Sequence, residues 1–300
     1  MTATSSAAAE APQPNGGPIR IAVPNKGALS EAAAVMLREA GYRQRTDPKE
    51  LVLTDDVNGV EFYYLRPRDI AVYVGEGTLH LGITGRDMLI DSGTSATEIK
   101  ALGFGRSKFR FAAPQAGPIS TIADLAGRRI ATSYPGLVGQ YLKGQDLEAR
   151  LIPLDGAVES AIRLGVADAI ADVVETGSTL RKAGLEVFGE AICDSEAVVV
   201  SHQGLDHDNA SVQQLLRRLD GVLVARSYVM VDYNVADENL DAACALTPGL
   251  SGPTVSQLAK EGWVAVRSLV PRTGSQQLLD DLHHVGARGI LLTDLAACRL

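Results

Sequence analysis

IRIAVPNKGALSEAAAVMLREAG, residues 19–41, is the stretch that decides the fold class. Ile19 to Pro24 is a β-rich run that stops at Asn25-Lys26-Gly27, and Ser30 then caps a helical stretch ending at Gly41. Strand, loop and helix in that order open an α/β unit. Outward from it come VEFYYLRP, a second strand, and RDIAVYVGEG, a short helix closed by Gly75. LHLGITG (Leu79 to Gly85) is an apolar strand that leaves through Arg86-Asp87 into DMLIDSG. Buried strands alternating with short helices predict a mostly parallel, covered sheet.

A second, similar series follows. FRFAAP (Phe109 to Pro114), RRIATSYP (Arg128 to Pro135) and LEARLIPL (Leu147 to Leu154) read as strands, TIADLAG and GAVESAIRLGVA as helices. DAIADVVETGSTLRKAGL holds a strand, a turn and a helix start. The expectation is two α/β lobes: lobe I from residues 19–108 and 195–226, lobe II from residues 109–194, with Gly105-Arg106-Ser107-Lys108 as the hinge. Ligands of such lobes sit in the crevice between them, outside the carboxyl ends of the strands. From Tyr228 the order becomes βαββαβ, the ferredoxin-like pattern, which gives a separate small domain over residues 227–300.

Length and composition agree with this organisation. A chain of 300 residues accommodates two or three domains, and 46% hydrophobic residues suffice for buried cores. Acidic residues outnumber basic ones by 36 to 28, which argues against bulk nucleic-acid binding but permits a local basic pocket. No apolar stretch approaches the roughly 18 residues of a membrane-spanning helix. The opening MTATSSAAAEAPQPNGGP (residues 1–18) lacks the basic and apolar regions of a secretory signal and reads as a disordered leader. Cys193, Cys244 and Cys298 are scattered and form no CxxC, so buried free thiols in a cytoplasmic protein are expected.

The segment Asp168 to Leu180 carries the chemistry. Backbone N–H groups at a helix start, the permissive Gly177, and the hydroxyls of Thr176, Ser178 and Thr179 make a cradle for a phosphate dianion. Asp172 and Glu175 beside it suit ribose hydroxyls or Mg²⁺. A plain N-cap after a turn explains the same TGST equally well. Lys26, Arg66 and Arg86 follow three strands and together form a plausible anion site. GxSxG, P-loop and GxGxxG motifs are absent, which removes hydrolase triads, P-loop phosphoryl transfer and dinucleotide redox chemistry from consideration.

Taken together, IRIAVPNKGALSE, LGITGRDML, RIATSYP, ADAIADVVETGSTL, CDSEAVVV and TPGLSGPTVSQLAKEGWVAVRSLVP resemble the long form of the ATP phosphoribosyltransferase family, from Ile19 to the end of the chain. The resemblance implies two catalytic lobes of the type II periplasmic-binding-protein kind and a C-terminal, ACT-like regulatory domain. It implies Mg²⁺-dependent condensation of ATP with phosphoribosyl pyrophosphate, the committed step of histidine biosynthesis, in homodimers to homohexamers. By role, Glu175, Thr176, Gly177, Ser178 and Thr179 should hold the donor's 5′-phosphate and Asp172 its ribose. Lys26, Arg66 and Arg86 should meet the polyphosphates as catalytic residues, and Asp87 and Tyr134 should border the nucleotide. Histidine, the feedback inhibitor, should meet Asp232, Tyr233, Asn234, Leu250, Gly252, Thr254 and Gly289. An acidic residue often stands in the family where Asn234 is, so weaker inhibition is expected here. The rival readings are a two-lobed binding protein and an amino-acid sensor without catalysis.

Overall fold

The structure, a computed structural model, describes residues 17–174 and 178–299. The expected leader up to residue 16, and Glu175, Thr176 and Gly177 of the expected cradle, lie outside the described residues. Two compact units are present: one gathers residues up to Val35 with Tyr42–Gln213, the other Met36–Gly41 with Gln214 onward.

In the first unit, β1 (Ile19–Pro24) is followed by α1 (Ala28–Glu39), which begins ahead of Ser30. Ser30 therefore lies in the first turn rather than at the cap, and its N–H donates to Gly27 O at 3.0 Å. Gly27 makes that turn with φ +80°, a conformation that glycine adopts without steric cost. Then come β2 (Val52–Asp55), β3 (Val60–Leu65), α2 (Pro67–Gly75), β4 (Leu81–Gly85), α3 (Arg86–Ser92) and β5 (Thr97–Ala101). The chain crosses into a second sheet at β6 (Ser107–Pro114) and continues through β7 (Arg129–Thr132), α4 (Pro135–Gly144), β8 (Arg150–Pro153), α5 (Glu159–Arg163), β9 (Ala169–Val174) and α6 (Ser178–Lys182). It returns by β10 (Leu185–Ser195) to β11 (Ala197–Ser201).

The two sheets share one plan. Their orders are β2-β3-β1-β4-β11-β5 and β10-β6-β9-β7-β8. Each has a parallel centre, β3-β1-β4 in one and β8-β7-β9 in the other. Beside each centre lies an antiparallel strand that has just arrived from the other lobe, β11 or β6, and then an antiparallel edge, β5 or β10. The sheets are thus mixed rather than mostly parallel, because each crossing strand enters its new lobe running backwards. Repetition of that plan is the type II periplasmic-binding-protein arrangement. The crossings themselves pair, Ser107 with Ser195 and Lys108 with Asp194, so the expected hinge is strand from Ser107 onward.

Phe109 and Phe111 are wholly buried in the lobe II core with Ile130, Leu137 and Val138; burying each such side chain stabilises the fold by about 1.5–3 kcal/mol. Asp168 and Arg129 tie β7 to the segment entering β9. Arg129 donates to the carboxylate through Nη2 at 2.7 Å, Nε at 3.1 Å and its backbone N–H at 2.9 Å. TIADLAG is a single 3₁₀ turn, Ala123–Leu125, because Asp124 binds the Ser120 and Thr121 amides and holds the chain in a tight local loop. Cys193 is buried and Cys244 and Cys298 half-buried; all three are free.

The helix α7 (Ala210–Ser227), in the second unit from Gln214 onward, leads into β12 (Tyr228–Ala236), α8 (Leu240–Leu246), β13 (Thr254–Gln257), β14 (Trp263–Pro271), α9 (Ser275–His284) and β15 (Arg288–Asp294). The order β13-β14-β12-β15, antiparallel throughout, is the ferredoxin-like sheet. Val229, Val231, Tyr233 and Val235 alternate along β12 into a core shared with Leu282 of α9 and Ala243 of α8. The intervening residues of β12 point to the other face.

The ion pair at Asp168 generates a pH-dependent prediction. Arg129 holds the Asp168 carboxyl down to about 2, below its ordinary 3.8, so the pair stabilises the native state above pH 4 and that contribution disappears as pH falls toward 2. Asp168→Asn should cost about 1 kcal/mol at pH 7, the partial exposure of the pair limiting the loss. Thermal unfolding of both proteins between pH 7 and pH 2 should show the gap closing below pH 4; a pH-independent gap would contradict the assignment.

Candidate functional site

β3, β1 and β4 lie side by side and parallel, so their carboxyl ends share one edge of the sheet. That edge carries Arg66 after β3, Lys26 after β1 and Arg86 after β4. The Asn25-Lys26-Gly27 loop is held from behind. Asn25 N–H donates to Leu65 O at 2.8 Å, and Arg45 donates to Asn25 O at 2.9 Å while its guanidinium stacks 4.1 Å from the Tyr64 ring centroid. Lys26 and Arg66 are left exposed at this edge.

Arg86 is different. It opens α3, and its Nε and Nη2 each donate to Glu98 at 2.8 Å. Its Nη1 donates to the Asp194 carbonyl at 3.0 Å, and Nη2 lies 3.4 Å from the Glu196 carboxylate. One guanidinium here faces two carboxylates, those of Glu98 and Glu196. Neither Glu98 nor Glu196 stood out in the sequence, since each meets Arg86 only through strands remote along the chain.

Asp87, next on α3, is 5% exposed. Its carboxylate accepts the Ser195 hydroxyl at 2.9 Å and the Met88 N–H at 2.9 Å, while Ser195 Oγ accepts the Asp87 N–H at 3.1 Å. A Cβ at Gly85 would lie 2.2 Å from Asp87 Oδ1, so only glycine leaves room for this carboxylate. Tyr134 reaches the same place from lobe II. Its ring packs edge-on against Phe109 at 5.0 Å, and Arg68 of α2 lies 4.7 Å over it. Burial first, and the Asp87 carboxylate second, push the Tyr134 phenol up, so it stays protonated. Arg68 also pairs with Asp91 at 2.6 Å, and the other oxygen of Asp91 caps α4 across the lobes, accepting Gly136 N–H at 2.8 Å and Leu137 N–H at 3.1 Å. Asp87 and Tyr134 therefore meet in the seam between the lobes.

Beside that seam opens a cavity of about 510 Å³, lined by Arg86, Arg106, Ser107 and Lys108, by Val174, and by Asp194, Ser195 and Glu196. Val174 ends β9, immediately before residues 175–177. Asp172, two positions earlier, accepts the Val173 N–H at 2.8 Å, and burial raises its carboxyl above 3.8. Ser178 and Thr179 open α6. Lobe I and lobe II thus bring Arg86, Asp87, Tyr134 and the end of β9 to one crevice.

In the second unit Asp232 and Asn234 share the open face of β12. Asp232 pairs with Arg267 at 2.7 Å, opposite Thr254 of β13, and a Cβ on Gly289 would lie 3.4 Å from Asn234 Nδ2. Leu250 and Gly252 sit in the exposed turn ahead of β13. Tyr233 does not join them: it faces the helices, 2% exposed, its hydroxyl 2.8 Å from Thr247 Oγ1.

A sequence model of the family described as "ATP phosphoribosyltransferase" matches residues 66–221, and one described as "HisG, C-terminal domain" matches residues 225–297. Curated ATP phosphoribosyltransferases of Streptomyces avermitilis and Micrococcus luteus are 59% and 60% identical over 285 and 284 residues, covering 94% of this chain and all of each relative. Among solved structures, the ATP phosphoribosyl transferase (HisG:HisZ) complex from Thermotoga maritima aligns with TM-score 0.56 and 25% identity over 67% of this chain and 98% of its own.

Burying the Asp172 carboxylate costs stability at neutral pH, because its ionised form is disfavoured in the native state. That cost is present at pH 7 and is relieved as pH falls through the raised value. Asp172→Asn should therefore unfold at a higher temperature than the wild type at pH 7, the two converging below about pH 3.8. A lower midpoint for the variant at pH 7 would show that the carboxylate is held by favourable contacts instead.

Proposed function

Because the chain belongs to the ATP phosphoribosyltransferase family, a family of pentosyltransferases that opens histidine biosynthesis, we propose how its own residues transfer the phosphoribosyl group to N1 of ATP. The observation that carries this reading is the opening of the end of β9 onto the cavity beside Arg86, Asp87 and Tyr134. N1 of adenine is already deprotonated, so the chain needs no nucleophilic Ser, Cys or His and no base. The barrier lies in separating pyrophosphate from an anomeric carbon with oxocarbenium character, and positioning and charge lower it.

Residues 175–179 take the donor's 5′-phosphate on backbone amides and hydroxyls, and Asp172 accepts hydrogen bonds from the ribose. Lys26 and Arg66 draw the polyphosphate toward the lobe I edge. Asp87 and Tyr134, fixed against each other in the seam, border the nucleotide and exclude water from one side of it. Among the described residues no group of three or more His, Cys, Asp or Glu side chains forms a metal cage. Magnesium does not need one: it binds through one or two carboxylates plus substrate phosphates. Asp172 fits that role, being an oxygen donor whose burial makes a nearby cation welcome. When bound, Mg²⁺ neutralises charge developing on the departing pyrophosphate.

Among the described residues no helix is long and apolar enough to cross a membrane, and we place the protein in the cytoplasm. Its active form is a homo-oligomer, dimer to hexamer. Histidine binds the open face of the C-terminal sheet near Asp232, Asn234 and Thr254.

Incubation of the protein with ATP, phosphoribosyl pyrophosphate and Mg²⁺ should yield phosphoribosyl-ATP, followed by its absorbance. Lys26→Ala should lower kcat/KM by about a hundredfold, the usual cost of removing one stabilising group. Absence of product would return the chain to the binding or sensing class. Asn234 offers the inhibitor's ammonium a neutral hydrogen bond, worth about 1 kcal/mol against about 1.5–3 for a charged one. Asn234→Asp should therefore tighten histidine binding by roughly tenfold in isothermal titration; an unchanged affinity would contradict that placement.

A further inference from the structure

Arg86 occupies a position at which a polyphosphate ligand is expected, yet its contacts describe a brace. Glu98 belongs to β5, the edge strand of lobe I, while Asp194 lies near the end of β10, which returns from lobe II, and Glu196 links β10 to β11. The backbone repeats the same tie: Arg86 N–H donates to Glu196 O at 3.0 Å, and the second carboxylate oxygen of Glu196 accepts Gly103 N–H at 3.0 Å. The Arg86 side chain thus joins the first turn of α3 to β5 and to the returning segment, and Glu196 extends the tie to Gly103 of the outgoing one. Arg106 Nε also lies 4.0 Å from Glu196, so two guanidiniums face two carboxylates and the cluster has no surplus positive charge to offer an anion.

What it holds is the edge on which the donor segment starts. Asp194, whose carbonyl Arg86 grips, pairs with Lys108 across β10 and β6, and Lys108 pairs with Val174 across β6 and β9. Three strands in register therefore connect the Arg86 guanidinium to the last residue before 175–177. A displacement of Asp194 is passed along that ladder to Val174, and misplacement of a bound group by about 1 Å can cost a hundredfold in rate.

We propose that Arg86 is a positioning residue of phosphoribosyl transfer: clamped by Glu98 and Glu196, it fixes the β10-β6-β9 edge and thereby sets where Val174, on the wall of the cavity, stands relative to the donor. The proposal rests on the transferase reading above and replaces a direct contact of Arg86 with polyphosphate. It makes Glu98, which does not line the cavity, as important to turnover as Arg86 itself.

Steady-state kinetics, product inhibition by pyrophosphate and amide hydrogen exchange, measured on the wild type, Arg86→Lys, Glu98→Gln and the double variant, test it. Each single variant should lower kcat about tenfold, and the double variant should fall no further than the worse single one, as residues acting through one contact do. The KM for ATP and the pyrophosphate inhibition constant should stay within about twofold, and each kcat is divided by the folded fraction read from circular dichroism, because loss of folded enzyme alone lowers apparent kcat at constant KM. Exchange at the Lys108–Val174 end of the ladder should quicken in both single variants. If Arg86→Lys weakens pyrophosphate inhibition about tenfold while Glu98→Gln leaves kcat intact or tightens pyrophosphate, Arg86 is a direct ligand and the proposal is overturned. A wild-type protein that makes no product sinks the transferase reading instead; in that case unchanged exchange in Glu98→Gln alone refutes the brace, and faster exchange upholds it.

Discussion

Antiparallel pairing between the two strands that cross from lobe to lobe constrains the rest of the catalytic unit. Ser107 pairs with Ser195 and Lys108 with Asp194, so the lobes are joined by a hydrogen-bonded ladder rather than by two loose linkers. Each crossing strand then inserts beside the parallel centre of the lobe it enters, which gives both sheets the same order apart from β2, an extra edge strand in lobe I. Because the carboxyl ends of the parallel strands open toward the crossing, cations after β1, β3 and β4 and the end of β9 are brought to one region without any long-range motif in the chain.

Charge buried near that crossing is paired, and the pairing defines the seam. Asp87 sits almost fully covered, yet a hydroxyl and an amide satisfy one of its oxygens and a tyrosine approaches from the other lobe. Asp91 spends one oxygen on the amides of α4 and the other on Arg68. Truncating one partner of such a set leaves the other uncompensated, which is far costlier than the net worth of the contact. Asp172 is the exception: burial disfavours its ionised form and raises its carboxyl.

Elements whose causes are local were readable from the chain alone. β1 and the whole βαββαβ end follow from short apolar runs, alternation and turn residues, and they form where expected. α4 was not readable: Pro135-Gly136 looks like a break, but proline is tolerated at the first helical position, and the next amides are capped by Asp91 from the other lobe. β2 has only four residues, too few for a periodicity signal, and β5 is largely exposed with its partner β11 far along the chain. For the site, the residue types at strand exits were legible, whereas the state of Arg86 was not. Its carboxylate partners lie 12 and 110 residues away, and only the folded sheet brings them to it.

A crystal structure of the protein with phosphoribosyl pyrophosphate bound measures the central claim most directly. The account predicts the 5′-phosphate against residues 175–179, the ribose hydroxyls at Asp172 and the pyrophosphate toward the edge that carries Lys26 and Arg66. A donor seated elsewhere, with its 5′-phosphate on side chains of another strand exit and no contact to the segment after Val174, would contradict it.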